Sequence, residues 1–173
     1  MMETFFIADP HFSDDNIRRY ENRPFESTDE MDKTLIRLWN ENVRENDEVF
    51  VLGDFGAHPR EKEVLSVLHG KKYLVKGNHD TQTDEYYRNA GFAAVYDMPV
   101  IYKGFWILSH EAVYENRNMP YANIFGHVHG NPMYKNVSCR HYLVSAERTG
   151  YAPVSFRKIV LSVKEADEKE TSK

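Results

Sequence analysis

Cysteine is nearly absent from this chain of 173 residues, whose single cysteine is Cys139. One cysteine cannot close a disulfide within the chain or supply the thiolate ligands of a zinc finger. Apolar runs of the roughly 18 residues that span a bilayer are also missing, and the first residues, MMETFFIADP, do not resemble a secretory signal. We therefore expect a cytoplasmic protein with no membrane partner.

An excess of positive charge is missing as well. Lys and Arg number 22 against 27 Asp and Glu, so the formal net charge is −5. Proteins that coat nucleic acids carry clustered basic side chains, so strong nucleic-acid binding is not expected. Hydrophobic residues, in contrast, make up 41% of the chain, and histidine occurs eight times. This composition excludes disorder of the body of the chain, and the length predicts one domain.

Hydrophobic periodicity predicts alternating strands and helices in the first half of the chain. The predicted elements are strands at residues 4–8, 48–52 and 73–75, and helices at residues 27–44, around 64–68 and at 84–89. This order is typical of a parallel sheet with crossover helices.

The second half has short apolar runs without long helices between them. These runs predict strands at residues 95–102, 105–109, 123–125, 142–145 and 154–163. We expect two sheets packed as a sandwich in one domain of residues 1–163. Residues 164–173 contain no large apolar side chain and are predicted to form a disordered tail.

Polar side chains follow most of the predicted strands at the point where each strand ends. They are Asp9, His11, Asp54, Asn78, His79, Asp80, His110, His127 and His129. Because ligands bind at the carboxyl ends of strands in open α/β sheets, these side chains should converge. Oxygen and imidazole donors without a thiolate suit Mn²⁺, Fe or Zn²⁺. One ion would leave donors unused, so we favour two ions roughly 3.5–4 Å apart.

Each of these motifs also has a plainer interpretation. Asp9-Pro10 could be an ordinary strand-to-turn junction, and Gly53-Asp54 could be a plain turn. His79 could be only a hydrogen-bonding neighbour of the ligands. Together, however, the plain interpretations require several unrelated turns to place Asp, Asn and His after apolar strands. Outside the motifs, His141 alternates with apolar residues and is expected to face solvent.

The motifs resemble, in order, those of the calcineurin-like metallophosphoesterases, especially small, uncapped bacterial, archaeal and phage-type members. They are Asp9-x-His11, Gly53-Asp54, Gly77-Asn78-His79-Asp80, His110 and Gly126-His127-x-His129. The resemblance implies an α/β fold in which a two-sheet β-sandwich is flanked by helices, in a four-layer αββα arrangement. It also implies two divalent metal ions, with Mn²⁺ favoured and Fe, Zn²⁺, Ni²⁺ or Co²⁺ as alternatives.

The resemblance assigns a role to each matching residue. The first metal would be bound by Asp9, His11 and His129, both metals by a bridging Asp54, and the second metal also by Asn78, His110 and His127. A hydroxide bridging the two metals would attack phosphorus. His79 would stand beside the leaving-group oxygen, and Asp80 would orient His79 through its other ring nitrogen.

Substrate contacts are harder to assign from the sequence. The candidates are Arg18, Arg19, Arg23, Tyr114, Arg117 and Arg148, among which we predict Arg18, Arg19 and Arg117 to be substrate-binding. An arginine fork suits phosphate, although for any single arginine the preferred interpretation is a solvated surface residue or a pair with a nearby glutamate. The sequence also departs from many small family members after His110, where Glu111-Ala112-Val113 replaces an aromatic residue and a proline. This departure leaves substrate preference open.

The resemblance therefore implies a metal-dependent phosphoesterase. A phosphodiester or a nucleotide is the favoured substrate, because an uncapped domain leaves an open groove. The alternatives are a phosphomonoesterase acting on a small phosphorylated metabolite, a non-catalytic scaffold of the same fold, and a nucleic-acid-binding protein whose metals are structural. The sequence leaves open whether the protein is a monomer or a dimer.

Overall fold

The computed structural model describes residues 2–114, 118–131 and 138–171. Its strands are β1 Thr4–Ile7, β2 Glu48–Leu52, β3 Lys71–Val75, β4 Ala94–Tyr96, β5 Val100–Tyr102, β6 Trp106–Leu108, β7 Ala122–Phe125, β8 His141–Leu143 and β9 Val154–Ser155. Its helices are α1 Asp15–Tyr20, α2 Thr28–Asn42, α3 Glu61–Val67, α4 Asp84–Ala90, α5 Ala146–Thr149 and α6 Phe156–Thr171.

The first sheet has the strand order β4-β3-β2-β1-β9. Strands β1 to β4 are parallel, and β9 pairs with β1 in the antiparallel sense. Successive side chains of a strand point to opposite faces, which explains why β1 is buried on both sides. Phe5 and Ile7 pack with residues of α2, α3 and α4, whereas Phe6 and Ala8 pack toward the second sheet.

The second sheet has the order β5-β6-β7-β8, in which β6, β7 and β8 are parallel. Its buried face shares one hydrophobic core with the first sheet, formed in part by Phe50, Leu52, Leu108 and Ile124. The sheets also meet at Ala8, whose backbone bonds to the segment after β8. Because these contacts bring the ends of β1 and β8 together, loops from both sheets meet at one end of the sandwich.

Helix α2 begins as the sequence predicts. The Ser27 hydroxyl accepts a hydrogen bond from the Glu30 N–H at 3.1 Å, which satisfies a donor that the first helical turn would leave unpaired. Met31, Leu35 and Trp39 form the buried face of the helix. Their spacing places them on one stripe, so α2 covers the first sheet.

Two predicted strands are wrong. Residues 95–102 form β4 and β5, which lie in different sheets. Pro99 stands between them and has no N–H to donate to a ladder, so it breaks the run. Residues 154–163 form only the short strand β9 before α6 begins, because Phe156, Ile159, Val160 and Val163 recur at helical spacing.

The predicted disorder of the tail is wrong for residues 164–171, which continue α6. Lys and Glu make up five of the eight residues of this stretch, and both favour a helix once the apolar first half has docked. Ile159 and Val163 are buried in the core between the sheets. Helix α6 contacts β1 and β9 of the first sheet and β8 of the second, so it closes the edge where β8 and β9 lie. The extent of the domain, residues 1–163, stays a prediction.

His141 is buried rather than facing solvent. Its Nδ1 lies 2.9 Å from the Ser138 hydroxyl, and its Nε2 lies 3.0 Å from the Val113 carbonyl. This imidazole therefore joins the segment before β8 to the segment after His110. Within the described residues, no helix has both the length and the apolar character needed to cross a membrane.

Truncating Ile159 tests whether α6 is part of the core. We expect Ile159→Ala to lower the free energy of unfolding by about 2–5 kcal/mol, because it leaves a cavity in the shared core. Leu161 lies on the same helix with 52% of its residue surface exposed, so Leu161→Ala should lower the free energy of unfolding by less than about 0.5 kcal/mol. Urea unfolding followed by circular dichroism measures both values; equal effects would show that α6 does not dock as described.

Candidate metal centre

The loops after β1, β2 and β7 are tied together by their own backbones. The Asp9 N–H donates to the Gly53 carbonyl at 3.1 Å, and the His11 N–H donates to the Asp54 carbonyl at 3.1 Å. The His127 N–H in turn donates to the Asp9 carboxylate at 2.9 Å. These hydrogen bonds between the loops therefore bring the strand ends together, as predicted.

Several of the predicted ligands have a left-handed backbone. The φ angles are 55° at Asp9, 47° at His11, 54° at Asp54, 72° at His127 and 47° at His129. This region is uncommon for residues other than glycine, although Asp and His tolerate it better than most. Strained backbone is retained where a site requires it, so this cluster supports a functional role for the strand ends.

The first group of candidate ligands consists of Asp9, His11 and His129, whose ligand atoms lie within 4.8 Å of one another. The rings of His11 and His129 are 5.2 Å apart between centroids. His11 Nδ1 lies 3.4 Å from the Asp14 carboxylate, so Nδ1 carries the hydrogen and Nε2 offers a lone pair. Among the described residues, this buried Nε2 has no hydrogen-bond partner.

The second group consists of Asp54, His110 and His127, whose ligand atoms also lie within 4.8 Å of one another. His110 Nδ1 lies 2.9 Å from the Leu52 carbonyl, to which it donates. His110 Nε2 then faces Asn78 Oδ1 at 2.9 Å and His127 Nδ1 at 3.0 Å. Nitrogen and oxygen donors from three loops therefore point at one position.

Asp54 lies between the two groups. Its Oδ2 is 3.6 Å from His11 Nε2 in the first group and 3.4 Å from His110 Nε2 in the second. Its Oδ1 accepts the His79 N–H at 2.8 Å. One carboxylate oxygen can thus serve both groups, which is the position that a bridging ligand needs.

Asp80 does not hold the ring of His79. Its Oδ2 accepts the Asp54 N–H at 2.7 Å and the Gly77 N–H at 2.8 Å, and its Oδ1 accepts the Phe55 N–H at 3.1 Å. This differs from the role that the resemblance implies, because both carboxylate oxygens bind backbone amides. Asp80 instead joins the loops after β2 and β3 and fixes the backbone of Asp54.

His79 itself lies beside the first group. Its ring centroid is 5.2 Å from that of His11, and the residue is exposed. The hydrogen bond from its backbone to Asp54 fixes where its side chain starts. An imidazole that is anchored at the backbone and open to solvent can meet a substrate bound over Asp54.

The electrostatics of the site reflect many ionisable groups in a small volume. Burial raises the pKa of Asp9 to about 6. Burial lowers the pKa of His110, but hydrogen bonding to Asp54 and the charges of Asp54 and Asp9 outweigh it and raise that pKa to about 9. Burial also lowers the pKa of His11. Without a cation, a proton on His110 compensates the carboxylates.

A divalent cation fits these donors better than a proton does. The groups offer carboxylate, amide and imidazole atoms and no thiolate, which suits hard and borderline ions. The lone pair of His11 Nε2 is buried without a partner among the described residues, and such an atom normally has one. The two groups could therefore hold two cations that share Asp54.

Two of the three predicted substrate arginines are held away from the ligand groups. Arg18 contacts Asp15 at 2.8 Å and donates to the Phe25 carbonyl, and Arg19 contacts Asp15 at 2.7 Å. Both guanidinium groups thus stabilise α1 and its neighbours rather than entering the site. Arg117 lies outside the described residues.

Another candidate also has structural contacts. Arg148 donates to the carbonyls of His129 and Asn131 at 3.0 and 2.6 Å, which supports the loop after β7. The Arg148 guanidinium group therefore binds backbone carbonyls of this loop rather than the ligand side chains. Tyr114 is 83% exposed.

Arg23 and Glu147 form a pair whose function sequence reasoning missed. Glu147 Oε1 lies 3.1 Å from His129 Nδ1 and accepts from Arg23 Nε at 2.8 Å. The fully buried Arg23 side chain also donates to the carbonyls of Asp9 and Pro10, each at 2.7 Å. The pair joins the loop after β1 to His129, and no local pattern connects residues 124 positions apart.

Comparison with known proteins places the chain in a family. The sequence model of the calcineurin-like phosphoesterases matches residues 2–148. An uncharacterized protein of Methanocaldococcus jannaschii is 34% identical over 168 residues, which cover 92% of this chain and 90% of that protein. The gene 66 protein of Mycobacterium phage L5 is 29% identical over 85 residues, which cover 46% of this chain and 41% of that protein.

Two solved structures are similar to this one. A protein of unknown function from Aquifex aeolicus has a TM-score of 0.70 and 25% identity, with 92% of this chain and 98% of that chain covered. The nuclease MPE of Pseudomonas putida, at 20% identity, shares the fold, with a TM-score of 0.52 and 73% of this chain and 61% of that chain covered.

The family match spans most of the chain, so the chain belongs to the calcineurin-like phosphoesterase family. Membership implies a hydrolase that acts on phosphoesters with the help of bound metal. It confirms the resemblance stated from the motifs and the α/β fold of two sheets flanked by helices.

Replacing Glu147 tests its contact with His129. Glu147→Gln keeps the shape but weakens the acceptor for His129 Nδ1, and we expect metal affinity to fall about 10–100-fold, as for other outer-shell substitutions. Calorimetric titration of the metal-free protein with Mn²⁺ measures the change in metal affinity. The exposed pair of Glu63 with Arg60 supplies the control Glu63→Gln, which should bind Mn²⁺ like the unaltered protein. An unchanged affinity in Glu147→Gln would contradict the role.

Proposed function

We propose that the protein is a binuclear metal-dependent phosphoesterase that favours phosphodiesters or nucleotides. The observation that carries this proposal is the position of Asp54 Oδ2, between His11 Nε2 at 3.6 Å and His110 Nε2 at 3.4 Å. Two cations that share this oxygen would activate water as the nucleophile and stabilise negative charge on the phosphate oxygens. Mn²⁺ is the favoured ion.

The residues of the chain divide the work by position. One cation would be held by Asp9, His11 and His129, the other by Asn78, His110 and His127, and Asp54 would contact both. The Asp54 N–H donates to the Asp80 carboxylate, and this hydrogen bond keeps the Asp54 side chain directed at both ligand groups. Rigid ligands of this kind hold the reacting phosphate in place, which supplies much of the rate in such reactions.

His79 is the candidate group for the leaving oxygen. It is exposed beside the first ligand group, and a neutral or protonated imidazole can donate a hydrogen bond as the ester bond breaks. In this proposal Asp80 contributes indirectly, because it fixes the loop that carries both His79 and Asn78.

The alternatives differ in substrate or in catalysis. A phosphomonoesterase would use the same ligands on a small phosphorylated metabolite. A scaffold would keep the fold without turnover, but every predicted ligand position is filled by a residue that can bind metal, which favours an enzyme. Protein stripped of metal and reloaded with Mn²⁺ should therefore hydrolyse bis(p-nitrophenyl) phosphate faster than p-nitrophenyl phosphate; the reverse order would favour the monoesterase.

The bridging role of Asp54 predicts a loss in both metal sites. Asp54→Asn should reduce the number of bound Mn²⁺ ions per chain and cost more activity than the roughly 10–100-fold typical of outer-shell substitutions. Metal analysis and hydrolysis of bis(p-nitrophenyl) phosphate measure both effects. Asp29→Asn, an exposed aspartate paired with Lys33, is the matched control. Full metal content and activity in Asp54→Asn would sink the binuclear proposal.

The leaving-group role of His79 predicts a dependence on the ester. His79→Ala should keep its metals but lose about 10²–10⁴-fold in kcat on diesters with a poor leaving group. The loss should be smaller on p-nitrophenyl diesters, whose leaving group needs little protonation. If both kinds of ester lost the same factor, His79 would not act on the leaving oxygen.

A further inference from the structure

A pocket opens directly beside the candidate metal centre. Its volume is about 500 Å³, and His127 and His129, one from each ligand group, lie on its wall. Tyr20 and Glu21 form another part of the wall, and Glu111 a third. Pockets of this size accommodate one small organic ligand. A group in this pocket could therefore belong to the same molecule as a phosphate bound at the candidate metal centre.

Tyr20 is an exposed aromatic residue whose backbone lies in an anchored segment. It is the last residue of α1 and is 80% exposed. The N-terminus of α1 is capped by Asp14, whose carboxylate also contacts His11 at 3.4 Å. Beyond the helix, Arg23 donates to the carbonyl of Asp9. The aromatic ring is thus carried by a segment fixed at both ends to the first ligand group.

The other wall residues indicate what kind of group fits beside this ring. Glu21 and Glu111 offer carboxylates, which accept hydrogen bonds from hydroxyl and amino groups and repel a second phosphate. Within the described part of the chain, no lysine or arginine lines the pocket. The pocket is therefore suited to a flat group rich in hydrogen-bond donors and without negative charge of its own.

We propose that this pocket is a nucleoside subsite, in which a base stacks on Tyr20 and the hydroxyl or amino groups of the nucleoside bond to Glu21 and Glu111. Carboxylates are common partners of ribose hydroxyls, and aromatic side chains are common platforms for bases. The inference rests on the proposed phosphoesterase function and narrows its substrates to nucleoside esters with a single phosphate. We expect nucleoside triphosphates to bind poorly, because a triphosphate whose terminal phosphate lies at the metal centre would place its inner phosphates beside the two carboxylates.

The experiment compares two cyclic esters of the same phosphate chemistry in the Mn²⁺-loaded protein. Adenosine 2′,3′-cyclic phosphate carries a base, and glycerol 1,2-cyclic phosphate does not. The ratio of their kcat/KM values measures what the base and the furanose ring contribute together, and its change when Tyr20 is replaced measures the part that depends on stacking. We expect Tyr20→Ala to lower this ratio roughly tenfold or more, because stacking of one base on an aromatic ring is worth about that much.

Two variants control for folding and for surface effects. Tyr20→Phe keeps the aromatic face and should keep the ratio. Tyr114→Ala removes another exposed tyrosine, which does not line the pocket in the described residues, and should also keep it. A ratio that stays constant in Tyr20→Ala, or that falls equally in Tyr114→Ala, overturns the subsite.

Binding measurements separate this inference from the proposed function. Calorimetry should show AMP binding more tightly than ribose 5-phosphate and than ATP, and Glu111→Gln should narrow the difference between AMP and ATP. Ribose 5-phosphate binding as tightly as AMP would indicate a sugar-phosphate site and overturn the proposal. If no phosphodiester were hydrolysed but AMP binding depended on Tyr20, the proposed function would fail and the nucleoside subsite would stand. Hydrolysis of phosphodiesters together with a cyclic-ester ratio that stays constant in Tyr20→Ala would give the opposite result.

Discussion

The placement of the Asp54 carboxylate is the constraint on which the rest of the site depends. It sits at the end of a buried central strand, where its backbone is held by Asp80 and its side chain contacts a histidine from each ligand group. Burying this many ionisable groups is unfavourable unless each is paired. A protein of this design therefore couples folding to whatever positive charge the site holds, whether protons or metal ions.

Behind the candidate ligands lies a layer of acceptors that determines which ring nitrogen is free. His11 is backed by Asp14, His129 by Glu147 and His110 by the carbonyl of Leu52. Each acceptor takes the hydrogen of Nδ1, which leaves Nε2 as the candidate donor. These contacts explain why α1 and α5, both short, are needed: they deliver Asp14 and Glu147 to the two histidines of the first group.

Local patterns in the sequence predict the parts of this molecule that depend on neighbouring residues. Apolar runs that end at turn residues predict β1 to β3, and the carboxyl ends of these parallel strands predict that the candidate ligands converge. The division of the ligands into two groups comes from the resemblance to the family. Contacts between distant residues leave no such pattern. Arg23 and Glu147 meet only through the fold, and the apolar run in residues 154–163 fits a strand until α6 shows which side chains share a face. The sequence identifies Asp80 as a site residue, but the residues around it in the sequence do not show which backbone N–H groups donate to its carboxylate.

The left-handed backbone at the strand ends also restricts the amino acids that evolution can sample there. At Asp9, Asp54 and His127, a β-branched or bulky substitute would be disfavoured by its own main chain before any question of metal affinity arose. The amino acids that such positions tolerate are therefore mainly Asp, Asn, His and Gly. Of these, only the first three can coordinate a cation through a side chain. A substitution that these turns tolerate therefore either keeps a side chain that can bind a cation or, with glycine, removes the side chain.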